Sequence, residues 1–183
     1  LGEMARGFQC DVADSAAVNA TVDQIVEHYG RIDVLVNNAA AAIYQPMADY
    51  PLKRRHLTFE ANVHAPLDLA QAVLPSMIEA GEGWILNLSS GTARPWDGPP
   101  FEVGSLGTTI AIYGASKAAL DRLTNGLGAE LYGSGVRVNA VQPRAAVLSP
   151  LAATLSPERC AGCMPPPPLP PAPQQPPQPP PPL

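Results

Sequence analysis

The chain has 183 residues, a formal net charge of -5 and three cysteines, Cys10, Cys160 and Cys163. The length suits one domain of ordinary size, and the acidic balance argues against nucleic acid or an anionic membrane as a partner. No apolar run is long enough to cross a bilayer, the cysteines make no disulfide framework, and no signal peptide is read at the start, so a cytoplasmic setting is expected.

In chain order, Phe8–Val12 reads as a short strand. A helix follows, N-capped by Asp14 or Ser15, with Val18, Val22, Ile25, Val26 and Tyr29 at helical spacing and Gly30 as its stop. Ile32–Val36 is a mostly apolar strand, the pattern of a strand covered on both faces. Residues 53–62 and about 65–80 read as helices, Trp84–Leu88 as a third strand, 110–132 as the longest helix and Val136–Val141 as a fourth strand. Strands alternating with helices predict an α/β fold with a parallel sheet joined by right-handed crossovers. Residues 164–183 are almost all Pro, Gln and Leu. Proline removes the amide donor and fixes φ, so this tail is expected to be disordered polyproline II, extended at about 3.1 Å per residue. The organisation expected is a domain over 1–150, a linker over 151–163 and a tail over 164–183. Cys160-Ala-Gly-Cys163 is a lone C-x-x-C without a partner pair, so no metal or redox site is expected there.

Tyr113 and Lys117, in YGASK, lie one helical turn apart on one face. A cation beside a phenol favours the phenolate and brings the hydroxyl toward the range useful for acid-base work. The plain alternative is a tyrosine packed on the core and a lysine reaching to water. Polar residues gather where ligands sit in an open parallel sheet, beyond the carboxyl ends of the strands: Asp11, then Asn37-Asn38-Ala39-Ala40, then Ser89-Ser90-Gly91, then Pro143. Each is also an ordinary turn composition; their succession, ending in the Tyr113/Lys117 helix, is the stronger signal.

With these residues in order (CDVAD at 10–14, NNAA at 37–40, Asn62 in ANVHAP, ILNLSS at 85–90, YGASK at 113–117 and RVNAVQP at 137–143), the chain resembles the short-chain dehydrogenase/reductase family over residues 6 to about 148. The resemblance implies a partial Rossmann-like doubly wound parallel sheet and an NAD- or NADP-dependent oxidoreductase acting on a small-molecule carbonyl or secondary alcohol. It implies Asp11 at the adenine ring, Asn37, Asn38 and Ala39 at the cofactor cleft, with Pro143 beside it, and Asn62 holding a water of a proton relay. Ser90 would hydrogen-bond the substrate oxygen, Tyr113 would be the general acid or base, and Lys117 would bind the nicotinamide ribose and lower the pKa of Tyr113. It also implies homo-oligomers built through helix 110–132. Ser89, His56 and His64 stand outside the motif and are left out of the site.

Three departures accompany the resemblance. The glycine-rich turn that holds a pyrophosphate at a helix N-terminus is not found before Asp11, since Gly2 and Gly7 do not make its pattern. The strand at Phe8 then lacks a neighbour, and the Val34 strand becomes an exposed apolar edge. After Pro143 comes Arg144, where the family usually has glycine, and soon the proline tail. The stretch RPWDGPPFEVGSLG, 94–107, is longer than usual and is either a substrate-shaping loop or a surface excursion. The alternative reading from another class is an interaction protein that docks its polyproline tail into SH3- or WW-type grooves.

Overall fold

The computed structural model describes residues 5–104 and 106–143. The expected 151–163 linker, the 164–183 tail and the Cys160/Cys163 pair lie outside the described residues. Four helices and three strands make the frame: α1 Ser15–Tyr29, β1 Val34–Asn37, α2 Leu52–Phe59, α3 Ala65–Ala80, β2 Gly83–Leu88, α4 Ala111–Glu130 and β3 Val136–Val141. The three strands form one parallel sheet in the order β1-β2-β3. The fold class is therefore the α/β arrangement that the alternation of patterns predicted.

The segment Phe8–Val12, expected as a strand, is not one. A strand exists by pairing its backbone groups, and among the described residues none lies beside it to do so. The segment instead feeds α1 through two aspartates. Asp11 Oδ1 accepts from the Ala13 N–H at 3.0 Å, and Asp14 is the N-cap, accepting from Ala16 N at 2.9 Å and Ala17 N at 3.2 Å. Those bonds satisfy donors that the first helical turn leaves unpaired. Gly30, at φ 85°, ends the helix as expected.

The two helices expected over 53–62 and 65–80 are one continuous rod. A π-turn, Glu60–His64, joins α2 to α3. Pro66 supplies the reason: it has no N–H to return to the residue four back, Asn62, so the regular ladder cannot close there. The wider turn carries the chain past the gap and displaces Asn62 toward the inside, where it is fully buried. Helix 110–132 is likewise a little shorter than its pattern, beginning as a 3-10 turn over Gly107–Ile110 and continuing as α4.

The core forms between one face of the sheet and the helices. Leu35, Ile85 and Val138 sit side by side across the three strands, and they pack with Val136 against Val22 of α1, Ala70, Val73 and Met77 of α3, and Leu127 of α4. Side chains alternate across a strand, so Val34, Trp84 and Arg137 share the opposite face, as do Val36, Leu86 and Asn139. That face is open: Val34, Val36 and Val141 are each about half exposed. The expectation that both faces of the Val34 strand are covered is thus corrected to one face among the described residues, while its apolar edge is exposed as expected.

At the far end of the sheet from the strands' carboxyl termini, Gly135 holds φ 87°, and a Cβ there would lie 1.8 Å from the Gly81 carbonyl oxygen. The turns leading into β2 and β3 meet there with no room for a side chain.

Candidate active site

Because all three strands are parallel, Asn37, Ser89 and Gln142 stand at the same edge of the sheet, with Asn38, Ser90 and Pro143 next in line. Parallel strands direct every carboxyl end to one side, which is how residues far apart in sequence come together. A polar ladder braces this edge from beneath. Asn37 Nδ2 donates to Asn87 Oδ1 at 2.8 Å, and Asn87 Nδ2 donates to Thr124 Oγ1 of α4 at 2.8 Å. Asn37 also donates to the Pro66 carbonyl at 3.4 Å. Its amide group ties the sheet to α3 through Nδ2. Asn38 and Ala39 line a small cleft of about 100 Å³ with Val12, Val36 and Leu69. Asp11, expected at an adenine ring, stands exposed at the turn before α1 with its carboxylate on Ala13 N. Pro143 is exposed just past β3, next to Gln142, whose amide is tied to Asp121 of α4 at 2.8 Å.

Asn62 is a clamp. Its Oδ1 accepts from Ala41 N at 2.8 Å, and its Nδ2 donates to the Ala41 carbonyl at 3.1 Å and to Ser116 Oγ at 2.9 Å. Both amide hydrogens are used, and one lone pair of Oδ1 remains as an acceptor. Ser116 in turn donates to the Tyr113 carbonyl at 2.7 Å. The π-turn, the loop after β1 and the first turn of α4 are locked into one unit.

Lys117 is buried, and its Nζ donates to the Leu88 carbonyl at the end of β2 at 2.6 Å. The ammonium also lies 5.9 Å from the centre of the Tyr113 ring. Among the described residues this is its one hydrogen bond, so two of its three donors remain for another group. Burial pulls its pKa below the ordinary lysine value, partly opposed by the nearby Asp121 carboxylate. The expectation for Tyr113 is corrected here. Its pKa is raised, chiefly by burial and then by Tyr44, against a smaller lowering from the neighbouring Ser90 hydroxyl. Lys117 spends its charge on the Leu88 carbonyl and on the ring face, which leaves the phenolic oxygen without the expected cationic partner.

Ser90 and Tyr113 are neighbours at this end of the sheet, close enough for the Ser90 hydroxyl to ease the ionisation of Tyr113. Ser90 also caps the turn Gly91–Ala93, accepting from Thr92 N at 3.3 Å and Thr92 Oγ1 at 3.0 Å. Ser89 is buried and its hydroxyl has no partner among the described residues. His56 and His64 are exposed on the helix rod. Tyr44, which sequence reading did not single out, meets Tyr113 edge to face with ring centres 6.0 Å apart. It sits in the loop after β1, where no periodicity announces a contact; its place after the NNAA segment was the only available cue. The 94–104 stretch runs at the surface with Phe101 62% exposed.

The arrangement offers a buried cation, two adjacent hydroxyls and an aromatic wall at one sheet edge. No group of three or more metal-binding side chains occurs among the described residues, and no described helix is long and apolar enough to cross a membrane. Comparison with known proteins points the same way. A model of the family described as short chain dehydrogenase matches residues 1–159. A D-threitol dehydrogenase from Mycolicibacterium smegmatis is 38% identical over 138 residues, which cover 75% of this chain and 49% of that protein. The NAD+-bound structure of a xylitol dehydrogenase superposes with a TM-score of 0.66 at 35% identity, covering 76% of this chain and 50% of the other. A metagenomic short-chain oxidoreductase in complex with NADP gives a TM-score of 0.66 at 32% identity, covering 76% and 59%. The chain spans about half the length of the curated relatives it matches.

Proposed function

This chain belongs to the short-chain dehydrogenase family, and from that premise we propose that it is built for hydride transfer between NAD or NADP and a small-molecule carbonyl or secondary alcohol. The observation that carries the reading is the meeting of Ser90 and Tyr113, two hydroxyls at one strand end, with the buried Lys117 ammonium anchored at that same strand end.

The described residues fit a nicotinamide cofactor on chemical grounds. The two uncommitted donors of Lys117 suit a ribose diol, and the cleft at Asn38 and Ala39 lies along the same sheet edge. Asp11 and Pro143 are the further residues proposed beside the cofactor, with Asn37 bracing the cleft from beneath. The nicotinamide, when bound, supplies or accepts the hydride. The protein's own part is to hold the substrate oxygen and move a proton. Ser90 donates a hydrogen bond to that oxygen, stabilising the negative charge that develops on it. Tyr113 gives up its proton to the same oxygen in reduction and takes one back in oxidation. Burial raises the pKa of Tyr113 in the described state, so the hydroxyl is protonated and ready to act as the acid. Asn62 keeps the first turn of α4 in place through Ser116, and its remaining lone pair is available to a water on the proton path.

Ala115 and Ala118 on the outer side of α4 are exposed, which supports pairing of this helix with a second copy, since small side chains let helices approach closely. A cytoplasmic location fits the low cysteine content, three in 183 residues.

The decisive experiment is Tyr113→Phe, assayed with NADH and NADPH against a panel of ketones and polyols. Loss of the transferable proton is expected to lower turnover by about a hundredfold or more. A Tyr113→Phe variant that turns over as fast as the parent would remove the assignment.

A further inference from the structure

We infer that Thr92 is a positioning residue of this site, fixing the Ser90 hydroxyl as an outward hydrogen-bond donor, and that Gly114 makes the close approach possible. The inference rests on the oxidoreductase reading above but concerns a part of the site that reading leaves unexplained: what decides which way the Ser90 proton points.

A serine hydroxyl has one donor and two acceptor positions, and its proton ordinarily rotates to suit its surroundings. At Ser90 both acceptor positions are taken by one residue. The Thr92 N–H donates to Ser90 Oγ at 3.3 Å and the Thr92 hydroxyl donates to it at 3.0 Å. The proton of Ser90 therefore has to leave the turn. It is left to point out of the turn, at the sheet end where Tyr113 also stands and has its ionisation eased by Ser90. Thr92 and Ser90 form a directed hydrogen-bond chain, Thr92 donating and Ser90 left with its proton outward. Without the Thr92 hydroxyl a lone pair of Ser90 is freed. The Ser90 proton is then no longer held outward, and the easing of the Tyr113 ionisation by Ser90 weakens.

Gly114 explains how the turn comes close enough. A Cβ at Gly114 would lie 2.4 Å from the Thr92 carbonyl oxygen and 3.3 Å from its carbonyl carbon. Backbone cannot yield as a flexible side-chain end can, so any side chain here pushes the Gly91–Ala93 turn away from α4. Gly114 follows Tyr113 directly, so the turn carrying Ser90 is seated against the same helical turn that carries Tyr113. The catalytic consequence is that the donor is aimed before charge develops on a substrate oxygen, with no rotation needed at that moment.

The other titratable groups around Tyr113 are Tyr44, edge-on at 6.0 Å, and Lys117, over its ring at 5.9 Å, with Asp121 beside Lys117. None of them touches the Thr92 hydroxyl in a hydrogen bond, so substitution there isolates the chain. The test uses the full chain with tyrosines carbon-13 labelled at Cζ, the Tyr113 signal being identified by its loss in Tyr113→Phe. Thr92→Val keeps the shape and removes the hydroxyl; Thr92→Ser keeps the hydroxyl. The Tyr113 titration midpoint is expected to rise by about half a unit in Thr92→Val, the scale of one neutral hydrogen bond, and to return to the parent value in Thr92→Ser. Gly114→Ala is expected to mimic Thr92→Val. If the chain unfolds before the midpoint is reached, the Tyr113 Cζ shift at pH 7 gives the same ranking from the folded protein. An unmoved Tyr113 signal in Thr92→Val, or a Thr92→Ser variant displaced as far as Thr92→Val, overturns the role of Thr92. An unmoved signal in Gly114→Ala overturns the role of Gly114. A parent chain with no nicotinamide-dependent turnover would count against the functional reading alone, since the labelled-tyrosine comparison needs no substrate. Where turnover is measurable, Thr92→Val should lower kcat and leave KM nearly unchanged.

Discussion

The two faces of the sheet use the same three strands in opposite ways. On one, Leu35, Ile85 and Val138 lie under α1, α3 and α4, and Ile85 is 1% exposed. On the other, Val34 and Val36 are 55% and 51% exposed, and Trp84 is covered in part by the Arg137 guanidinium, 5.7 Å from its ring. On β1 and β2 the residues just named are apolar on both faces, while on β3 the open face carries Arg137 and Asn139. What differs is the presence of a helix. Successive right-handed crossovers stepping in one direction across the sheet put every helix on the same side, so among the described residues nothing is left to cover the other. Hydrophobicity in a strand shows that a face suits burial; it does not say what buries it.

The sharpest way to break this comparison is to truncate on each face in turn. Ile85→Ala removes a fully buried side chain between sheet and helices, with an expected loss of about 2–5 kcal/mol. Urea denaturation followed by circular dichroism measures it. A loss below 1 kcal/mol would mean that the helix-covered face is not where the stability of the described unit resides.

Much of the fold was legible because it rests on local periodicity. Helix α1 and its Gly30 stop, β2 and β3 are where the pattern of apolar residues puts them, and the Tyr113/Lys117 pair was visible from spacing alone. What the sequence did not disclose depends on tertiary contact. The Phe8–Val12 stretch has strand composition but no neighbour to pair with among the described residues. Two helices were expected, over 53–62 and 65–80, and the structure joins them through a π-turn ahead of Pro66, where burying Asn62 against Ala41 and Ser116 offsets the lost ladder bond. The destination of the Lys117 ammonium, a carbonyl on β2, lies 29 residues away in the chain. No local rule predicts that, and with it went the expected lowering of the Tyr113 pKa.

The site edge gives a second, pH-dependent contrast. Lys117 sits with its folded pKa below the ordinary value of 10.5. The unfolded chain therefore holds this proton more tightly, and folding is penalised at neutral pH. The penalty lessens as pH rises from the depressed folded pKa toward 10.5, so this group makes stability increase with pH over that window. Tyr113 and Tyr44 act oppositely: their folded pKa values are raised above 10.0, so the stability they contribute is full below 10.0 and falls as pH rises through their folded values. Lys117→Met is expected to remove the rising limb below 10.5 and leave the alkaline fall in place. Chemical denaturation at a series of pH values reads both limbs; an unchanged rising limb in Lys117→Met assigns it to other groups.

Asp14 offers a test on the covered side that leaves the core alone. Its carboxylate accepts from two N–H groups at the start of α1. Asp14→Ala is expected to cost about 1 kcal/mol, the usual scale for a lost N-cap, and Asp14→Ser to recover most of it. Equal stability of Asp14→Ala and the parent would show that the α1 entrance is held by other contacts, such as the Ser15 hydrogen bond to Asp68 of α3.

The smallest effect on stability is expected on the open face, where its size is the point. Val34→Thr with Val36→Thr keeps β-branched side chains on β1, so strand preference is preserved. Both side chains are already half in water, and a hydroxyl there finds solvent partners without a desolvation cost. Stability should change by less than about 0.5 kcal/mol, as for surface substitutions away from special features. Self-association should respond more strongly. A contiguous apolar face on a sheet edge recruits other molecules, and two hydroxyls at its centre weaken that tendency without touching α4. Light scattering at a series of protein concentrations should show smaller species for the double variant than for the parent. If the variant loses stability as Ile85→Ala does, the open face is packed in solution and the contrast between the faces fails. If stability holds and scattering is also unchanged, association runs through another surface, and α4 with its exposed Ala115 and Ala118 is the one to substitute next.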